Sequence, residues 1–118
     1  MELPRVQLRL ILADGKTFGP GKADLLALIR DQGSIAAAGR AMKMSYKRAW
    51  DLVEEMNRSF REPLVVTERG GAGRGGAVVT EAGAAVLARY RAMEARLIGA
   101  DLAEFAAALV DRGLPEGG

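Results

Sequence analysis

The stretch from Ser34 to Phe60 constrains the fold more than any other part of the chain, because it holds two helix starts with almost no residues between the helices. Ser34 is an N-cap type that accepts a hydrogen bond from an early backbone N–H, and Ile35 to Met42 follows with four alanines and one glycine. Side chains this small let another helix come close. After Lys43 and Met44, Ser45 is a second N-cap type ahead of a helical run from Tyr46 to Phe60. Ala49, Val53, Met56 and Phe60 form one apolar stripe on that run, while Tyr46, Lys47, Arg48 and Asp51 lie off it at the N-terminal end. A slim helix turned tightly into a second helix with polar and basic first turns is a helix-turn-helix pattern.

The rest of the chain fits around this pair. Arg5 to Ala13 sets Val6, Leu8, Leu10 and Leu12 on one side against Gln7, Arg9 and Ile11 on the other, the period of a strand, and Asp14-Gly15 marks a turn. Pro20 suits a first helical position and Gly33 a stop, which predicts a helix from about Pro20 to Asp31. Leu64 to Arg69 and Ala77 to Thr80 read as strands joined by the loop Gly70 to Gly76. Thr80 is an N-cap type for a final helix from Glu81 to about Asp111, which at ~1.5 Å per residue would be about 45 Å long. Its stripe through Leu87, Tyr90, Ile98, Leu102, Phe105 and Leu109 is too large for a small domain to cover, so it is expected to pair with a second copy. The expected fold is mainly α with a small β wing: a winged helix-turn-helix with a long C-terminal dimerisation helix. It spans residues 1–112, and 113–118 form a disordered tail.

Composition narrows the chemistry. At 118 residues, 49% hydrophobic and 27% charged, the chain suits one globular domain. It has no cysteine and no histidine, which removes disulfides, thiolate and imidazole metal sites, and mechanisms that need an imidazole base. Asp51, Glu54 and Glu55 read as a solvated helix face without a convergent partner, so no enzyme and no cofactor is expected. Gly71 to Gly76 satisfies G-x-G-x-x-G, but a strand rather than a helix follows it, and Gly21-Lys22 lacks the upstream glycine of a phosphate loop. No apolar run reaches the ~18 residues of a membrane span. A cytoplasmic protein is the expectation.

Charge is uneven. Residues 40–80 carry eight Lys and Arg against five Asp and Glu, and Arg40, Lys43, Lys47 and Arg48 fall in a stretch without one acid. Such a cluster is either a solvated surface or a phosphate-facing footprint, and the helix-turn-helix context favours the second. The DNA-facing set is then Ser34, Arg40, Lys43, Ser45, Tyr46, Lys47, Arg48 and Arg74. Ser45 and Tyr46 reach phosphate or base, Lys47 and Arg48 reach guanine O6/N7 or phosphate, and Arg74 follows the backbone or enters a minor groove. Trp50 is expected as a packing anchor rather than a base-stacking residue.

Gly33-Ser34, the alanines at 36, 37 and 38, and Met42-Lys43-Met44-Ser45 resemble the helix-turn-helix of LysR-type regulators. Ser45 to Asp51 continuing to Glu55-Met56-Asn57, then Gly70-Gly71, Gly75-Gly76-Ala77 and Val79-Thr80-x-x-Gly83, resemble the N-terminal DNA-binding domain of ModE-type molybdate-responsive transcriptional regulators, over about residues 5 to 110. The resemblance implies a bacterial, sequence-specific regulator acting on double-stranded DNA as a homodimer in molybdenum-related gene control. Full-length members of that family continue into oxyanion-binding domains. This chain alone is therefore expected not to bind molybdate tightly, and a separate molybdate-binding protein is an expected partner. The competing reading is a winged helix used for protein interaction without DNA.

Overall fold

The computed structural model describes residues 3–69 and 75–110. Arg74, most of the glycine loop and the expected tail lie outside them. The chain is mostly helical with two small antiparallel sheets. Its elements are β1 (Leu10–Ile11), β2 (Thr17–Phe18), α1 (Pro20–Gln32), α2 (Ile35–Ala41), α3 (Tyr46–Ser59), β3 (Val65–Arg69), β4 (Gly75–Val79), α4 (Glu81–Arg96) and α5 (Ala100–Ala107).

Local signals set the helix ends. Pro20 opens α1, and Gly33 closes it at φ 68°, a left-handed conformation that costs glycine little, with its N–H bonded to the Ile29 carbonyl at 2.7 Å. Ser34, Ser45 and Thr80 each turn a hydroxyl onto the third residue ahead, accepting from the N–H groups of Ala37, Arg48 and Gly83 at 3.0 Å. β3 and β4 pair from Val65↔Val79 to Arg69↔Gly75. The Ala77 N–H donates to the Gly33 carbonyl at 3.0 Å, which ties the hairpin to the α1–α2 junction.

The core forms where these elements meet. Phe18, Leu25, Leu26, Ile29, Val53, Met56, Leu64 and Tyr90 are its largest fully buried side chains. Phe18 meets Phe60 and Tyr90 edge to face, with centroids 5.9 and 5.2 Å apart. The Asn57 side chain accepts from the Leu64 and Val65 N–H groups and donates to the Val65 carbonyl, stapling α3 to the start of β3. Arg91 bridges Asp24 of α1 and Glu94 of α4.

Three expectations need correction. Only Leu10–Ile11 of the predicted strand Arg5 to Ala13 pairs, because its partner β2 is two residues long before α1 begins, although Leu8, Leu10 and Leu12 stay half-buried and Arg9 and Ile11 exposed. The predicted long final helix is two helices. At the end of α4, Leu97 and Ile98 bond back only three residues, to the carbonyls of Glu94 and Ala95, and Gly99, a poor helix former, sits extended as the cap of α5. Leu87 and Tyr90 do not belong to an exposed stripe. Both are buried within this chain, and the Tyr90 hydroxyl donates to the Leu8 carbonyl at 2.6 Å.

Candidate nucleic-acid interface

The turn between α2 and α3 is made possible by a close approach. A Cβ on Gly39 would lie 3.0 Å from the Ala49 Cβ, so even alanine there would require the two helices to give by a few tenths of an ångström. The Met44 N–H bonds to the Gly39 carbonyl at 3.0 Å and Lys43 takes φ 60°, the only positive φ of a non-glycine residue among the described residues. The Lys43 side chain is thereby placed outside the crossing, exposed.

From that turn the candidate residues spread over one end of α3. Arg40 is exposed on the last turn of α2, and Ser45, Tyr46, Lys47 and Arg48 are exposed at the start of α3. Neither helix carries an acid in its first turn, so the partial positive charge of the α3 N-terminus adds to the four cations. Ser34 is half-buried, and its hydroxyl is engaged as the α2 cap, which makes it a positioning group first. The Lys47 ammonium pairs with Asp51 one turn on at 3.1 Å, an exposed pair that water and salt loosen readily. Arg48 lines a cleft of about 320 Å³ with Arg9, Lys22, Met44 and Glu55. Trp50 is half-buried, its ring edge to face with Tyr46. Arg74 lies outside the described residues.

Sequence reasoning missed the group beneath this surface. Lys22 is buried in α1 and its ammonium donates to the Thr17 carbonyl and to Glu55 Oε1, both at 2.7 Å. That bond holds the Glu55 carboxyl below the usual carboxylate range, against the opposing effect of burial. The expectation of a solvated helix face does not hold for Glu55, which is half-buried. The pair instead locks α1 against the middle of α3, and no local spacing announces a contact between residues so far apart in sequence.

A second surface lies at the other end of the chain. Met93, Leu97, Ile98, Phe105, Leu109 and Val110 are exposed, and Leu102 is half-buried beside the N-terminal segment and Asp24. Of the predicted apolar stripe, then, Ile98, Leu102, Phe105 and Leu109 remain at or near the surface. No helix among the described residues is long and apolar enough to cross a membrane.

No family model matches the chain. Curated relatives do. The molybdenum-pterin-binding protein MopB of Rhodobacter capsulatus is 46% identical over 81 residues, 69% of this chain and 30% of that protein. The molybdenum transport protein ModE of Azotobacter vinelandii is 40% identical over 80 residues, 68% of this chain and 30% of that protein. The DNA-binding transcriptional dual regulator ModE of Escherichia coli (strain K12) is 39% identical over 71 residues, 60% of this chain and 27% of that protein. The chain spans about a third of the length of the curated relatives it matches.

Proposed function

We propose that this chain is a winged helix-turn-helix module of the ModE type that binds double-stranded DNA sequence-specifically as a homodimer and serves the control of molybdenum-related genes. In this reading α2 and α3 are the helix-turn-helix, α3 is the recognition helix and the β3–β4 hairpin is the wing. The observation that carries it is the N-terminal end of α3, where Arg40, Lys43, Lys47 and Arg48 are exposed around a helix start whose first turn carries no acid. A recognition helix enters the major groove by that end, and cations there meet both phosphates and guanine edges. Arg74, in the connection between β3 and β4, is assigned to the DNA backbone or the minor groove. Relatives named as transcriptional regulators support the same reading.

The homodimer rests on Ile98, Leu102, Phe105 and Leu109, whose apolar surface suits contact with a second copy better than water. A twofold pairing would set two copies of α3 about 34 Å apart, one turn of DNA. Titration of duplex DNA at several salt concentrations tests the reading. Arg48→Ala is expected to cost roughly 1 to 3 kcal/mol and to relax sequence preference if it touches a base, or to flatten the salt slope by about one contact if it touches phosphate. Unchanged affinity and slope in both Lys47→Ala and Arg48→Ala would overturn the assignment of α3.

A further inference from the structure

The charged end of α3 contains one feature that phosphate binding does not explain. Tyr46, the first residue of the helix, is 57% exposed and presents an aromatic ring among the cations. Trp50 backs it one turn on, with centroids 6.1 Å apart and planes at 80°. Tyrosine has few torsions to fix, and a ring already packed on its neighbour loses still less freedom on binding.

The pair forms one wall of a cleft of about 300 Å³ whose other sides are Ser34 and Ala36 at the start of α2 and Thr67 and Ala77 of the hairpin. Glu68 also lines the cleft, and its carboxylate disfavours a phosphate there. What the ledge suits is an apolar group on a base edge. In the major groove the base edges carry donors, acceptors and one apolar group, the C5-methyl of thymine.

We infer that Tyr46, held by Trp50, is a specificity-determining residue that reads the C5-methyl of thymine through its ring. The inference rests on the DNA-reading role proposed above and adds the kind of base that α3 prefers. Its selectivity comes from removing one methyl group from water, so it is modest for each contact and independent of salt.

Deoxyuridine isolates that methyl, because it differs from thymidine only there. The duplex that the wild-type chain enriches from a randomised pool is remade with deoxyuridine at each thymine in turn, and each form is titrated against wild type, Tyr46→Phe and Tyr46→Ala. At one thymine position in each half-site, wild type and Tyr46→Phe are expected to bind the uracil form about threefold to tenfold more weakly than the thymine form. Tyr46→Ala is expected to bind both forms equally. Circular dichroism confirms that each variant keeps its helices, and Tyr46→Phe retains a test of the ring if the alanine variant fails to fold. A preferred duplex whose uracil forms bind wild type unchanged overturns the role of Tyr46 alone, as does undiminished uracil sensitivity in Tyr46→Ala. A pool that yields no preferred duplex overturns the DNA-reading role as well.

Discussion

Replacing Lys43 with glycine separates the strain of the turn from its charge. Lys43 holds φ 60° between α2 and α3. A side chain in that conformation costs about 1 to 2 kcal/mol, and glycine removes the cost while adding about 0.4 to 1 kcal/mol of unfolded-state freedom. The Lys43 N–H bond to the Arg40 carbonyl, at 3.0 Å, is retained. Lys43→Gly is therefore expected to stabilise the fold by about 0.5 to 1 kcal/mol, a rise in Tm of roughly 2 to 5 °C for a domain of this size. The same change removes a cation from the DNA-facing surface, so the slope of log affinity against log salt should fall by about 0.9 if the ammonium meets a phosphate. Thermal unfolding by circular dichroism and anisotropy titration of a labelled duplex measure the two effects separately. A protein that is more stable yet binds DNA more weakly is the expected outcome. A lowered Tm would refute the reasoning about strain, and an unchanged salt slope would refute the placement of Lys43 against phosphate.

Other perturbations probe the packing and the pairing of copies. Gly83→Ala would drive a methyl group into the Leu64 carbonyl and to within 2.8 Å of Val79 Cγ1, so chemical denaturation should show a loss of about 3 kcal/mol or more. The lowered pKa of Glu55 means that the folded carboxylate is the stabilised form. Its contribution is full above the ordinary glutamate value and is lost as pH falls through the lower folded value. Glu55→Gln should cost about 2 kcal/mol at neutral pH, less than a fully buried pair because the carboxylate is partly wet, and should reduce the acid sensitivity of stability below about pH 5. Leu102→Glu with Phe105→Glu should give a monomer by analytical ultracentrifugation and about a hundredfold weaker binding to a two-half-site duplex, since the avidity of paired contacts is lost.

Where a signal acts within a few residues, the sequence carried it to the structure intact. Ser34, Ser45 and Thr80 are caps because each hydroxyl needs only the N–H three residues ahead, and the α3 stripe buries Ala49, Val53 and Met56. Long-range choices were less legible. Thr17–Phe18 is too short a strand to show a period, and the partner that buries Leu87 and Tyr90 is set by how the helices pack, not by their spacing. Gly99 divides the predicted final helix, but a lone glycine in an apolar pattern only weakens a helix. The Lys22–Glu55 pair and the three bonds of Asn57 depend on elements meeting in space. On the candidate interface, the basic cluster was legible from charge alone. The edge-to-face contact of Tyr46 with Trp50 and the left-handed turn at Lys43 needed the fold.

The most direct test of a DNA-reading α3 is selection of duplexes from a randomised pool by the wild-type chain and by Arg48→Ala in parallel. For wild type the expected product is an inverted repeat whose half-site centres lie about 10 base pairs or a multiple apart, as two copies of α3 on one DNA face require. For Arg48→Ala the expected product is the same spacing with weakened preference within each half-site, or, if Arg48 touches only phosphate, the same sequence recovered at lower affinity. Enrichment of no sequence by wild type, or a wild-type motif bound with equal strength and selectivity by Arg48→Ala and Lys47→Ala, would contradict the role assigned to α3.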